Sequence, residues 1–152
     1  MFVRESISIK VKCMRVFLGG SCNPTTWRKD VAIPILEAEA VSYYNPQVDD
    51  WSPELVAIEA KAKADAKVLL FVIDSQTRAI ASILEATEMI MSGRHVVLVI
   101  DQIADCTEIG GQTVTGSELK DLNRARTYLR DLAQRHLVGV YPTVDRAVTA
   151  IC

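Results

Sequence analysis

The strongest constraint on this chain is a set of short runs that are apolar at every position: Val16-Phe17-Leu18, Val68–Ile73 and Val96–Ile100. A strand with one wet face alternates apolar and polar residues, whereas an unbroken apolar run must be covered on both sides. Longer amphipathic stretches separate the runs, which is the rhythm of βαβ units around a parallel sheet. The pattern predicts strands over 14–18, 41–44, 67–73, 95–100 and 137–141, and an alternation of Ile7, Ile9 and Val11 either extends the first or forms a separate edge. Helices are predicted over 26–40, 53–66, 79–91, 117–135 and 144–150, and residues 101–116 read as a loop. Pro34 should kink or restart the first helix, and Ser52 should cap the second ahead of Pro53.

Five parallel strands with helices on both faces and right-handed crossovers imply a flavodoxin-like three-layer α/β sandwich with strand order 2-1-3-4-5. No internal repeat, low-complexity stretch or linker interrupts the 152 residues, so a single domain over 1–152 is expected. In such folds ligands bind beyond the carboxyl ends of the strands. Those ends carry Gly19-Gly20-Ser21-Cys22-Asn23, Asn45-Pro46-Gln47, Asp74-Ser75-Gln76 and Asp101-Gln102.

Charge narrows the function classes. Seventeen basic against 19 acidic residues leave a formal charge of −2, which disfavours binding to a nucleic-acid polymer or an anionic membrane by counterion release. No apolar run approaches the ~18 residues of a membrane span, and no secretory h-region is visible. Cys13, Cys22, Cys106 and Cys152 are scattered without a Cys-x-x-Cys pair, which favours reduced thiols and a cytoplasmic setting. His95 and His136 lie in no metal-ligating spacing, so neither a metal nor another cofactor is expected.

Several motifs carry two readings each. Gly19-Gly20 lets backbone approach a ligand closely, yet a tight strand-to-helix turn needs glycine anyway. Neither a P-loop nor Gly-x-Gly-x-x-Gly follows. Cys22 and Arg28 have the spacing of a thiolate phosphate loop, resembling the low-molecular-weight tyrosine phosphatases, but Pro24 removes an amide from the anion nest. Asp74 has the position of a receiver aspartate without the acidic pair that would hold magnesium, and a turn role suffices for it. Ser82, Glu85, Glu88 and Ser92 share one helical face; periodicity alone makes this a solvated stripe, whereas position beside the switch-point crevice lets Glu85 reach a ligand. Trp51, between Asp50 and Ser52, suits stacking on a flat ligand. The segment Asp121-Leu-Asn-Arg-Ala-Arg is polar on a helix face that should partly pack.

Val16-Phe-Leu-Gly-Gly-Ser, Tyr44-Asn-Pro-Gln, Ala64-Asp65 before an apolar strand, and Glu85 in the helix after it together resemble the nucleoside 2-deoxyribosyltransferase family. The family's Gly-x-x-x-Glu-Leu-Gly reads Ala81-Ser-Ile-Leu-Glu85-Ala-Thr here, as in a divergent branch. The resemblance implies transfer of 2-deoxyribose between nucleobases by ping-pong exchange, with Glu85 as nucleophile and a covalent glutamyl-deoxyriboside. Asp74 or Glu59 would protonate the leaving base. Gln47 and Trp51 would read and stack the base, and Gly19, Gly20, Ser21 and Asn23 would line the sugar. Deoxynucleosides and free nucleobases would be the partners. An oligomer, a dimer or a hexamer built from dimers, would share its sites between subunits, with Asp121 and Asn123 reaching a neighbour's sugar. Three alternatives remain open: a deoxynucleoside 5′-monophosphate N-glycosidase, with Ser21, Arg28 or Arg78 on the phosphate; the Cys22/Arg28 phosphatase; and a non-catalytic nucleoside-binding module.

Overall fold

The structure, a computed structural model, describes residues 15–152. Residue 14 of the first expected strand, the Ile7, Ile9, Val11 alternation and Cys13 lie outside the described residues. A five-stranded parallel sheet forms from β1 (Val16–Gly20), β2 (Tyr43–Tyr44), β3 (Val68–Ile73), β4 (Val96–Ile100) and β7 (Gly139–Tyr141), in the order β2-β1-β3-β4-β7. Counted within the sheet this is the expected 2-1-3-4-5, with β7 as the fifth strand. The register sets Gly20 opposite Val72 and Ile73 opposite Ile100, so the carboxyl ends of the three central strands stay level.

All residues of β1, β3 and β4 are buried, as their unbroken apolar runs require. Side chains of one parity (Leu18, Leu70, Val72, Val99) pack on Leu36 of α1 (Ile33–Ala38) and Val148 of α5 (Val144–Ile151). Those of the other parity (Phe17, Leu69, Phe71, Ile73) meet Ala62 of α2 (Leu55–Asp65), Ala86 of α3 (Ile80–Met91) and Leu129 of α4 (Gly116–Arg135). The arrangement is the flavodoxin-like three-layer sandwich.

Two local expectations change, and the restart expected at Pro34 is found. Residues 101–116 are not simply a loop: β5 (Thr107–Ile109) and β6 (Gln112–Val114) form an antiparallel hairpin closed by Gly110-Gly111, both at positive φ as the primed two-residue turn demands. Ile109 and Val114 of the hairpin, with Ile103, form a small core on Leu122 of α4. The helix expected over 26–40 splits into a π-helical turn, Arg28–Ala32, and α1, which starts afresh around Pro34 because that residue has no N–H to continue the ladder. The second helix begins at Leu55 with Glu54 at the cap position and no side-chain capping bond, so Ser52 is not its N-cap.

Candidate active site

At the carboxyl ends of β1 and β3 lies a cavity of about 600 Å³ on the α2/α3 side of the sheet. Its floor is Phe17, Gly19 and Gly20 of β1, and the Ser21–Asn23 turn closes one end. Gly20 has φ of 108°, and a Cβ there would fall 2.2 Å from the Val72 carbonyl oxygen, so the sheet itself demands glycine at this point. Val48, Asp49 and Trp51 come from the β2–α2 connection, and Val56, Glu59 and Lys63 from α2. Thr77 and residues 79–82 bring the β3–α3 connection and the start of α3, with Glu85 one turn further along.

The charged centre is a trio. Lys63 Nζ donates to Glu85 Oε1 at 2.8 Å, and the lysine also sits 5.8 Å from the centre of the Phe17 ring. Glu59 lies one helical turn before Lys63 on α2. Burial lifts the Glu59 carboxyl above its usual range and the Glu85 charge adds to the rise, while Lys63 and Arg28 oppose it. Beside this centre, Trp51, Val56 and Ile80 are more than half exposed, an apolar rim on an otherwise charged cleft.

Some residues expected at the site instead build its walls. The Ser21 hydroxyl accepts from the Asp74 N–H at 3.1 Å and bonds Thr77 Oγ1 at 2.7 Å, joining the β1 turn to the β3–α3 connection. Asp74 does not line the cavity; its carboxylate accepts from the backbone N–H and side-chain amide of Gln76, closing the turn after β3. Asn23 lines the cavity and ties two loops together, donating to the Val48 carbonyl and accepting from Gln47 Nε2. Gln47 gives its second amide hydrogen to the Thr25 carbonyl and stands behind the wall. Arg78 donates to Glu118 and Gln112, fastening the loop after β3 to the hairpin and α4. Asp121 pairs with Arg124 on the exposed side of α4, and the Asn123 amide bonds both the N–H and C=O of Ile103. Neither borders the cavity within one chain.

The Cys22/Arg28 pair is arranged against phosphatase chemistry. Arg28 is 1% exposed and donates to the carbonyls of Leu18, Gly20 and Ser21, leaving no fork for phosphate. Burial pushes the Cys22 thiol up despite Arg28, the reverse of an activated thiolate.

Sequence reasoning missed Lys63, whose four-residue spacing from Glu59 on a helix beside the crevice was the available signal. It also missed Arg126. Its segment is expected on a face of α4 that should partly pack, but the pattern assigns no role to this guanidinium, which is fully buried and donates to the carbonyls of Asp74, Thr77 and Asp101. Among the described residues, no three His, Cys, Asp or Glu side chains gather to hold a metal ion.

A family model described as nucleoside 2-deoxyribosyltransferase like matches residues 13–103. The chain belongs to this family. The matched span runs through β4 and contains every residue lining the cavity, from Phe17 to Glu85, whereas the hairpin, α4 and its Asp121, Asn123 and Arg126 lie beyond it. A search of curated proteins finds no match to the chain.

Proposed function

We propose that the protein transfers 2-deoxyribose between nucleobases by ping-pong exchange, with Glu85 as nucleophile and Glu59 as the proton donor. The observation that carries this reading is the place of Glu85: it lines the same cavity as Gly19 and Gly20, and its carboxylate takes a salt bridge from the cavity-lining Lys63. Cleaving the N-glycosidic bond builds positive charge at the anomeric carbon, which an anionic carboxylate stabilises and then captures as a glycosyl ester. The electron pair of the broken C–N bond passes to the departing base, and a ring nitrogen of that base takes a proton from Glu59. An incoming base reverses both steps on the same face, so configuration is retained. Glu59 is preferred to Asp74 because it lines the cavity and burial favours its protonated form, while Asp74 is spent on the turn after β3. Trp51 and its apolar neighbours suit the flat face of a base.

Nucleosides are favoured over 5′-monophosphates because the guanidiniums that phosphate would need are committed: Arg28 to carbonyls and Arg78 to Glu118 and Gln112. We infer an oligomer as well. Ile58, Leu84, Met91 and Tyr128 stand more than half exposed on α2, α3 and α4, apolar surface of the kind a second copy would cover.

Intact-mass analysis after exposure to a 2-deoxy-2-fluoro nucleoside tests the mechanism. One sugar adduct on the peptide containing Glu85 is expected, and none in Glu85→Ala. An adduct on another residue would displace Glu85. Thermal stabilisation by nucleosides with neither adduct nor product would leave a binding module.

A further inference from the structure

Three carboxyl residues, Asp49, Glu59 and Glu85, line the cavity, and Lys63 is the one cationic residue that joins them among the described residues. Its ammonium donates to Glu85 from α2, and the same helix face carries Glu59 four residues earlier, within reach of the same flexible side chain. One cation is thus flanked by two carboxyls on different helices. We propose that Lys63 is a positioning residue that holds the Glu85 carboxylate in place in the resting cleft and passes to Glu59 once Glu85 is esterified.

The inference rests on the reading of Glu85 as nucleophile and Glu59 as proton donor. Before reaction the trio holds one anion (Glu85), one cation and one neutral carboxylic acid (Glu59). In the first half-reaction a Glu85 oxygen bonds to the anomeric carbon, the C–N bond breaks toward the base, and the Glu59 proton moves to the base. Glu85 is then a neutral ester and Glu59 an anion, while Lys63 has kept its protons. The trio's charge is the same before and after, with one anion beside the cation throughout. The second half-reaction runs the exchange backward.

The electrostatics act in the same direction. Burial and the Glu85 charge hold the Glu59 carboxyl up, and Lys63 and Arg28 pull it down. Esterifying Glu85 removes one upward influence and releases Lys63 to strengthen a downward one, so Glu59 becomes a better acid as the base departs. The groups facing the pair are Lys63 on α2, Cys22 and Arg28 on the β1 side, and Asp49 from the β2–α2 connection.

The test is a pH titration of the Glu59 carboxyl by NMR on the full chain, labelled with carboxyl-13C glutamate. Glu85→Gln imitates the uncharged ester and should lower the Glu59 midpoint by about one pH unit, whereas Lys63→Met should raise it by about as much. Lys63→Arg should return it to the wild-type value. An unmoved Glu59 midpoint in Glu85→Gln overturns the proposal, even where Lys63→Met fails to fold. In single-turnover base release, Lys63→Met should displace the pH–rate profile along the pH axis, and Lys63→Arg should restore it. A uniform fall at every pH would assign Lys63 a purely structural role and overturn the proposal too. A wild-type protein that releases no base from any deoxynucleoside would instead sink the nucleophile reading, and the titration would still decide whether Lys63 couples the two glutamates.

Discussion

Replacing Gly20 with alanine separates a glycine that the sheet requires from one that only leaves room for a ligand. The added Cβ would sit 2.2 Å from the Val72 carbonyl oxygen and 2.5 Å from the Val72 nitrogen, both backbone atoms of a strand paired on both sides. Val72 has nowhere to move, so the end of β1 must shift and give up the 2.8 Å hydrogen bond from Ser21 N–H to the Val72 carbonyl. An alanine at a φ of 108° adds backbone strain. Strain of ~1–3 kcal/mol, overpacking of a similar size and about 1 kcal/mol for the hydrogen bond give an expected loss of about 5 kcal/mol. Gly93 is the control: its φ is 73°, but a Cβ there meets nothing within 4 Å. Gly93→Ala should therefore cost only about 1 kcal/mol, the left-handed backbone penalty alone. In urea denaturation with a slope of ~2 kcal/mol/M, the midpoints should fall by about 2.5 M and about 0.5 M. Equal losses for the two variants would refute the clash with Val72, and the shift of β1 that it forces, as the cause.

Three further outcomes follow from the site. Burial lets folded Glu59 keep its proton to higher pH than the unfolded chain does; the stability this gives is complete below the unfolded carboxyl value and lost as pH rises through the folded one. Glu59→Gln should thus gain on wild type in urea midpoint between pH 4 and pH 7, and an equal difference at both pH values would contradict this. Arg126→Met should cost about 3 kcal/mol by stranding the carbonyls that its guanidinium satisfies, and lysine, which lacks the planar fork, should recover less than half; a loss below about 1 kcal/mol would show that water replaces it freely. Because burial pushes the Cys22 thiol up, its alkylation by iodoacetamide should be slow at pH 7 and speed up well above it, and the wild type should leave aryl phosphate intact; hydrolysis lost in Cys22→Ser would restore the phosphatase reading.

The legible parts of the sequence were those in which one force dominates. β3 and β4 are apolar at every position and central in the sheet, and the order of the strands follows from that pattern with the crossover rule. Features set by a balance of forces were hidden. The β5–β6 hairpin has three residues per strand, too few for an alternation to stand out, and only its Gly-Gly turn marked it. The stripe of Ser82, Glu85, Glu88 and Ser92 is solvated at one end and in the cleft at the other: Glu88 and Ser92 are exposed, whereas Ser82 and Glu85 line the cavity. Periodicity reports a face, and only the position of the strand ends tells which part of that face meets a ligand. The roles of Arg28 and Arg126 were hidden because their partners are carbonyls, which no side-chain pattern reveals.

Those two arginines also bear on the proposed preference for an uncharged nucleoside. The turns at the ends of β1, β3 and β4 leave carbonyl oxygens without sheet partners, and Arg28 and Arg126 reach them from opposite faces of the sheet. An arginine cannot shed its proton to escape burial, so its charge must be matched where it stands, and here the carbonyl dipoles match it. This stiffens the loops that frame the cavity and commits both guanidiniums to backbone carbonyls, as Glu118 and Gln112 commit that of Arg78. Lys63 is then the only positive side chain among the described cavity-lining residues, and Glu85 already occupies it. A phosphate on the sugar would enter beside Asp49, Glu59 and Glu85 without a free cation to receive it, whereas an uncharged nucleoside and a neutral base incur no such cost. A 5′-monophosphate that bound as tightly as its nucleoside would require one of the buried arginines to leave its carbonyls, and the loops with it.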